Sequence, residues 1–409
     1  MISVQNHPLQ LSGNKYWLII CIAFLFSACS PKIRKSANKN PEGQGKEKEI
    51  EKAVERFTQA NISLLIPFRL NQINLKTASK AEVDKSAMAI DFYQGFKLGV
   101  DSAASLGLNF KLNVYDTRDS NAQIDALLSR GTLTYSNLMV GPVFPQGIKH
   151  ITSYSIARNI PVISPLAATH PSEFNNPNLI SVVNNIDLHA AKIVNYIAKS
   201  YAPENTIVVL INPKTSSDEV VAGPLRQYFK TNKKAFVLQE YPSVFSMETK
   251  MQKGKEYVVI VTSSDRKFVV PTLDRLLKIK NKGYDLNLFG HPDWIKQNYN
   301  VDKLQALNTS ITSSYHVNYR SAKTVEFIKK YREAFRFEPS EYSFKGFDIG
   351  FYFGKLFAEH GADYLKYLTK EKYEGLHNSF DFYHDDKLGY INTSLMLLRY
   401  KNFAINIVE

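Results

Sequence analysis

The chain has 409 residues, of which 44% are hydrophobic and 22% charged, and its formal net charge is +13. The positive charge is spread along the chain without a recognised nucleic-acid motif, which argues against nucleic acid as a partner. Two interpretations of the charge stay open: a genome that uses Lys and Asn freely, and attraction to anionic lipid headgroups or wall polymers.

Residues 1–28 have the pattern of a secretory signal peptide. Lys15 precedes an apolar run, residues 16–26, which is too short to span a bilayer because a helix needs roughly 20 apolar residues for that. The following segment LFSAC (25–29) resembles a bacterial lipobox. That resemblance implies that Cys29 is lipidated and becomes the mature N-terminus. The alternative is a plain signal peptide followed by a chance cysteine.

Residues 29–58 are expected to form a flexible tether, because residues 30–48 are polar and rich in Lys, Asn, Gly and Pro. The other cysteine, Cys21, lies inside the apolar run and would be removed, so no disulfide is expected. The segment after Cys29 is basic, unlike that of many lipoproteins on the outer cell surface. Its first serine resembles the outer-membrane sorting pattern. We therefore expect a lipid-anchored, periplasm-facing protein of the cell envelope, attached to the outer membrane.

From residue 61 onward, short apolar strands alternate with helices. The patterns predict strands at 62–68, 110–115, 138–143, 161–164 and 179–183, and helices at 87–106, 121–129 and 146–158. After a break at 184–185 the alternation resumes, with strands at 206–211, 235–240, 257–262, 286–289 and 310–314 and helices at 187–201, 217–231 and 267–281. Helices at 322–335 and 344–360 precede strands at 378–383, 395–400 and 403–408.

Such alternation indicates parallel sheets built from βαβ units. The predicted fold class is therefore α/β, with two Rossmann-like lobes that have parallel sheets and are joined by a three-strand hinge. We assign residues 59–184 and 320–377 to lobe 1, and residues 185–319 and 378–409 to lobe 2. The three crossovers are expected near 184–185, near 317–319 and before residue 378.

Signatures of common enzymes are missing from the sequence. It contains no G-x-G-x-x-G, Walker loop, H-E-x-x-H, G-x-S-x-G or C-x-x-C. The stretch His384-Asp385-Asp386 is expected to be a solvated turn rather than a metal cluster. The paired carboxylates of residues 115–119 suit a helix cap with a local ion pair. We expect no enzyme, no cofactor and no metal site.

The segments MVGPVF (139–144) and IPVISPLAAT (160–169) resemble the type I periplasmic binding fold. Within it, they are most similar to the leucine-type amino-acid receptors of ABC transporters. Residues 62–103 resemble the first strand and helix of those receptors, and 380–406 their closing hairpin region. The likeness covers nearly all of 61–409, in order. It implies a solute-binding protein that holds an amino-acid-like molecule between two lobes for transport or sensing, with an ABC permease as partner.

In the first lobe the likeness implies a ligand site at the carboxyl ends of two strands, where ligands of open α/β sheets bind. Gly141 ends one strand, and its backbone is expected to approach a ligand anion. Ser164 ends the next strand. Ala168 and Thr169 match the loop that holds the ligand's carboxylate in those receptors, although the chain has one extra residue there.

In the second lobe the segment LFGHPDW (288–294) resembles the turn that carries the receptors' ammonium acceptor. Asp293 is then the acceptor and Trp294 an aromatic wall. An Asp that caps a helix is the alternative. Ser263 follows a strand at a position where the receptors often have an aromatic residue, and this difference makes a standard branched-chain amino-acid site doubtful.

A second function stays open. The chain resembles, less closely, the lipoprotein activators of penicillin-binding proteins, which use the same fold on an outer-membrane anchor to contact a peptidoglycan synthase. The basic tether and the expected attachment to the outer membrane favour this alternative. The likeness of the loops within 141–169 to those of amino-acid receptors favours a receptor.

Overall fold

The structure, a computed structural model, describes residues 57–74, 76–232 and 235–408. The described part of the chain belongs to a single compact unit. The predicted signal peptide, the predicted lipidation site at Cys29 and nearly all of the predicted tether lie outside it. Among the described helices, none has both the length and the apolar composition needed to cross a bilayer.

The first part of the chain forms a parallel sheet in the spatial order β5-β4-β3-β1-β2. Its elements are β1 (Gln59–Ile66), α1 (Lys80–Asp84), α2 (Ala87–Ala104), β2 (Asn109–Asp116), α3 (Asn121–Ser129), β3 (Leu138–Val140), α4 (Pro145–Arg158), β4 (Val162–Ser164) and β5 (Leu179–Ser181). The neighbouring residues Leu64 and Leu65 are both fully buried although they point to opposite faces. The strands therefore read as unbroken apolar runs because the sheet is covered on both sides.

The second lobe repeats this arrangement with parallel strands in the order β10-β9-β8-β6-β7. Its elements are α5 (Ile186–Ser200), β6 (Thr206–Ile211), α6 (Ser216–Thr231), β7 (Val237–Tyr241), α7 (Val244–Glu248), β8 (Glu256–Val261), α8 (Arg266–Asn281), β9 (Asp285–Phe289), a 3₁₀ helix (Pro292–Lys296), α9 (Val301–Ala306) and β10 (Ser310–Ser313). Side chains fix where the helices begin: Asn185 accepts from the Leu188 amide at the start of α5, and Thr215 forms a capping box with Asp218 at α6.

The chain then returns to the first lobe. It forms α10 (Ala322–Phe335), α11 (Glu341–His360), the small pair β11 (Tyr373–Glu374) and β12 (Ser379–Phe380), and the hairpin β13 (Phe382–Asp385) and β14 (Gly389–Asn392). Helices α2 and α11 share one apolar core on the sheet, to which Phe92, Phe96, Phe353 and Phe357 contribute. The last strands, β15 (Met396–Lys401) and β16 (Ala404–Ile407), extend the second sheet antiparallel from β10.

The closing hairpin corrects the predicted lobe boundaries. Residues 378–392 were assigned to lobe 2, with a strand at 378–383 and none at 389–392. In the structure β14 instead pairs parallel with β5 of the first sheet, and β13 follows it antiparallel. Alternating apolar residues indicate a strand but do not say which sheet edge it joins. Both sheets therefore contain seven mostly parallel strands with antiparallel strands at one edge.

Three crossovers join the lobes, as predicted in number. They comprise residues 182–185, 314–321 and 393–395, so the third lies after the hairpin and not before residue 378. The first and third are tied together by side chains. Asn184 Nδ2 donates to the Asn392 carbonyl at 2.9 Å, and Asn392 Nδ2 donates to the Val182 carbonyl at 3.0 Å. All three leave their sheets at the carboxyl ends of β5, β10 and β14, so these strand ends flank the hinge.

Candidate functional site

The predicted ligand residues follow the carboxyl ends of strands that are neighbours in their sheets. Gly141 comes after β3 and Ser164 ends β4, and these two strands pair parallel. Ser263 comes after β8, and the 3₁₀ helix with Asp293 comes after β9, which pairs parallel with β8. Within each lobe the structure therefore brings the predicted loops to one edge of a sheet, where open α/β folds bind ligands.

Gly141 serves the packing of the sheet. Its amide donates to the Ile163 carbonyl at 2.9 Å, so this donor is already occupied. Its φ is 88°, and a Cβ atom at this position would lie 2.1 Å from the Leu65 carbonyl oxygen. The backbone contact with an anion that was predicted for Gly141 is thus not available to its N–H group.

The loop after β4 provides free polar groups. Ser164 is 1% exposed, and its hydroxyl has no hydrogen-bond partner among the described residues. Ala168 is exposed and Thr169 is half-buried. A buried hydroxyl without a partner carries a free-energy cost that a bound polar group would remove. Ser164 and Thr169 therefore fit the predicted role of donors to a ligand.

Trp294 belongs to the core of the second lobe, which corrects its predicted role as a ligand-facing wall. It is fully buried, and its ring packs edge-on against Tyr299 with centroids 5.3 Å apart. The indole Nε1 donates to the Ser263 carbonyl at 3.0 Å. Its large apolar ring is removed from solvent because it packs in a core cluster that includes Leu288 and Leu304. Trp294 thus links the loops after β8 and β9.

Asp293 is available to a ligand. Its side chain is 59% exposed, and His291 Nδ1 lies 3.7 Å from its carboxylate. His291 also accepts from the Asp293 amide at 3.0 Å, which makes His291, and not Asp293, the cap of the 3₁₀ helix. Burial lowers the pKa of His291, so this neighbour does not hold Asp293 in a permanent ion pair.

A second group of polar residues meets at the middle crossover. We call Lys296, Tyr315, Lys345 and His377 the crossover cluster. Lys345 Nζ lies 4.7 Å from the centre of the Tyr315 ring, and Lys296 Nζ lies 5.8 Å from it. The rings of Tyr315 and His377 are stacked with centroids 4.6 Å apart. Lys296 comes from the second lobe and Lys345 from the first, so the cluster spans both lobes.

The crossover cluster is short of partners. Neither the Tyr315 hydroxyl nor His377 Nε2 has a hydrogen-bond partner among the described residues, and both atoms are buried. Burial, helped by the charge of Lys345, lowers the pKa of His377 to about 3, so the imidazole is neutral. His377 Nδ1 lies 2.7 Å from Asn378 Oδ1 and therefore carries the proton, which leaves Nε2 as an acceptor.

Asp348 holds the segment that carries His377. Its fully buried carboxylate accepts from the backbone amides of Leu376, His377 and Asn378, each at 2.8 Å, and from the Tyr373 hydroxyl at 3.2 Å. Burial raises the pKa of Asp348 to about 6, while these hydrogen bonds act in the opposite direction. The side-chain Nδ2 of Asn378 in turn donates to the Ser314 carbonyl at 3.1 Å, so the network reaches the middle crossover.

Among the described residues, Glu359, His360 and Glu371 are close enough to share a metal ion. Lys355 Nζ, however, lies 3.5 Å from the Glu359 carboxylate and 3.7 Å from that of Glu371. An ammonium group between two carboxylates repels a dication and already balances their charge. The ion pairs account for this cluster without a metal.

Sequence reasoning missed the crossover cluster. One signal was present: Lys345 and Asp348 stand three residues apart in the predicted helix 344–360, among apolar residues that define its buried face. Ionised residues on a buried helix face require partners or a function. Tyr315 and His377 gave no signal, because they are distant in sequence and meet only through the crossover.

Comparison with solved structures identifies the fold. A protein of Rhodospirillum rubrum, whose name assigns it to branched-chain amino acid ABC transport, matches with a TM-score of 0.64 at 13% identity over 86% of this chain and 100% of that one. An ABC transporter substrate-binding protein of Desulfitobacterium hafniense in complex with Leu matches with a TM-score of 0.53 at 14% identity, over the same shares.

The C-domain of LpoA (YraM) from Haemophilus influenzae, a regulator of PBP1A, matches with a TM-score of 0.56 at 14% identity, over 86% of this chain and 100% of the domain. No family model and no curated protein matches the sequence. The chain thus has the two-lobed α/β type I periplasmic binding fold, as predicted. It shares this fold with the two transport-related structures and with the LpoA C-domain.

Proposed function

We propose that this protein binds an amino-acid-like small molecule between its lobes, for ABC-type transport or sensing, and that it is not an enzyme. The observation that carries the proposal is that each lobe has a polar side chain available to a ligand near the carboxyl ends of its strands. The first lobe has the Ser164 hydroxyl, which lacks a partner, and the second has the exposed carboxylate of Asp293. The names of two matched structures, which refer to amino-acid transport and to a Leu complex, support it.

The roles follow from hydrogen-bond chemistry. The hydroxyls of Ser164 and Thr169 donate to the ligand's carboxylate, and Asp293 accepts from its ammonium group. Because the Gly141 amide is already bonded within the sheet, the anion relies on side-chain hydroxyls and on other amides of the loop after β4. Ligand held by groups from both lobes would stabilise the closed arrangement about the hinge.

Calorimetry of the purified full chain against the common amino acids tests this proposal. We expect at least one to bind more tightly than about 1 mM, near −4 kcal/mol. Replacing Asp293 or Thr169 with alanine should weaken that ligand by about 1.5–3 kcal/mol, or about 10- to 150-fold, because a hydrogen bond to a charged group is lost.

Asp386→Ala is the matched control, since this carboxylate is fully exposed in the β13–β14 turn and should leave affinity unchanged. If no amino acid binds the wild-type chain, the proposed ligand class fails. If one binds and Asp293→Ala has no effect, the assignment of the ammonium site fails while the receptor proposal stands.

Anchoring is a separate part of the proposal. We infer from the LFSAC segment that Cys29 is lipidated, and from Ser30 and the basic residues after it that the protein faces the periplasm from the outer membrane. When cells are grown with a clickable palmitate analogue, we expect the wild-type chain to be labelled. After membrane fractionation, we expect the labelled chain in the outer-membrane fraction. Cys29→Ala should lose the label, whereas Cys21→Ala should keep it because Cys21 precedes the cleavage site. Equal labelling of wild type and Cys29→Ala would contradict the anchor.

The likeness to the LpoA C-domain supports a second candidate function, a scaffold or activator that contacts a peptidoglycan synthase. Its TM-score of 0.56 lies between those of the two transport-related structures, so the fold does not discriminate. This candidate predicts that the wild-type chain binds no amino acid in the calorimetric panel but is recovered with a penicillin-binding protein after crosslinking in intact cells.

A further inference from the structure

Lys345 is a buried cation with little compensation. Its side chain is only 9% exposed, and its one carboxylate partner among the described residues is Glu341 Oε1, at 3.5 Å and one helical turn away. The ammonium group also lies 4.7 and 5.7 Å from the ring centres of Tyr315 and Tyr342. Burial lowers the pKa of Lys345, which shows that the charged form is poorly solvated where it lies.

A second cation approaches the same ring from the other lobe. Lys296 extends from the 3₁₀ helix after β9 to 5.8 Å from the centre of the Tyr315 ring. Two ammonium groups near one ring repel each other, and this repulsion helps to lower the pKa of Lys345. An anion between them would reverse the sign of that interaction.

The groups beside the two lysines complete a site for an acid. The Tyr315 hydroxyl is buried without a partner, and burial raises its pKa, so it remains a protonated donor. The negative charges of Glu341 and Asp293 also raise the pKa of Tyr315. Glu341 is the partner of Lys345, and Asp293 is the proposed acceptor for an ammonium group. His377 Nε2, an acceptor, takes no part in binding an acid.

We propose that Lys296, Tyr315 and Lys345 of the crossover cluster bind a second carboxylate of the ligand, so that the preferred ligands are acidic amino acids or small dicarboxylates. Lys345 and Lys296 supply the positive charge from opposite lobes, and the Tyr315 hydroxyl donates a hydrogen bond. This inference rests on the proposed function for the location of the ligand. It adds to that proposal that the ligand carries a second carboxylate. It also gives closure a driving force, because the acid bridges cations that otherwise repel.

Calorimetry of the full chain with acid and amide pairs tests the inference. The probes are L-glutamate against L-glutamine and L-aspartate against L-asparagine, which differ in charge but hardly in shape. Glutarate and succinate serve as acids without an ammonium group. We expect at least one acid to bind about 10- to 150-fold more tightly than its amide, since a hydrogen bond to a charged group is at stake.

Lys345→Met should abolish this preference, because the second carboxylate then loses the buried cation that binds it. Lys355→Met, on the same helix, is the control for loss of one positive charge, because Lys355 pairs with Glu359 and Glu371. Thermal unfolding checks that Lys345→Met is folded. We expect no loss of stability, since methionine places an apolar group of similar length in a buried position.

The outcomes separate this inference from the proposed function. If neutral amino acids bind as tightly as acidic ones, or if Lys345→Met keeps the preference, the inference is overturned while the receptor proposal stands. If glutarate or succinate binds and no amino acid does, the amino-acid class fails while the acid site is supported. If none of the acids binds, the inference is overturned.

Discussion

Replacing Gly346 with alanine should destabilise the first lobe by about 2–4 kcal/mol, because it forces a methyl group into a contact between two helices. Gly346 lies in α11, where a Cβ atom would meet the Phe92 carbonyl oxygen of α2 at 2.2 Å and the Phe96 amide nitrogen at 2.8 Å. Both neighbours are backbone atoms of a helix and cannot move without shifting α2.

Gly95 on α2 shows the same close contact between α2 and α11 from the other side. A Cβ atom on Gly95 would lie 1.9 Å from the Ser343 carbonyl oxygen, so this variant should behave like Gly346→Ala. The packed aromatic core beneath, with Phe92 and Phe353 fully buried, leaves no space into which the helices could separate.

Gly223 in α6 is the matched control. It is also helical, and apart from its chain neighbours nothing lies within 4 Å of its Cβ position. Gly223→Ala should therefore change stability by no more than about 1 kcal/mol, because the gain in helix propensity is opposed by the contact of the new methyl group with Pro224. Urea denaturation followed by circular dichroism measures both variants. If Gly346→Ala is as stable as wild type or more stable, the close packing of α2 on α11 is contradicted.

The sequence predicted the fold where the signal is local. Buried strands such as β6 and β8 are unbroken apolar runs, and the helices beside them have apolar residues at helical spacing, so both appear in any short window. The strand at Gly389–Asn392 was missed, and the hairpin around it was assigned to the wrong sheet. Its placement depends on pairing with β5, about 200 residues earlier, which no local pattern encodes.

The sequence pattern predicted which loops lie at the candidate site. It did not predict which side chains in those loops are buried and which are exposed. Strand-end residues such as Ser164 and Asp293 lie where the pattern put them. Whether a residue there faces a ligand or the core is decided by packing: Trp294 is adjacent to Asp293 in sequence, yet one is fully buried and the other largely exposed. The crossover cluster depends on contacts between 315, 345 and 377 and could be recognised only in three dimensions.

The second large loss of stability is expected on replacing Asp348. Its carboxylate holds residues 376–378, the segment that contributes His377 to the crossover cluster. Asp348→Ala should destabilise the protein by about 3–5 kcal/mol. The change leaves the three backbone amides of residues 376–378 buried without an acceptor, and each such group costs about 1–3 kcal/mol. The loss is partly offset, because burial of the carboxylate is itself unfavourable, as its raised pKa shows.

The control for Asp348→Ala is Asp363→Ala. That carboxylate is 65% exposed and pairs with Lys366 at 2.7 Å, so its removal should change stability by no more than about 0.5 kcal/mol. Hydrogen exchange adds a local readout: the amides of residues 376–378 should exchange faster in Asp348→Ala than in either wild type or Asp363→Ala. Because the His316 amide donates to the His377 carbonyl at 2.9 Å, its exchange should quicken as well. Unchanged protection at all four amides would mean that the carboxylate does not hold the crossover segment.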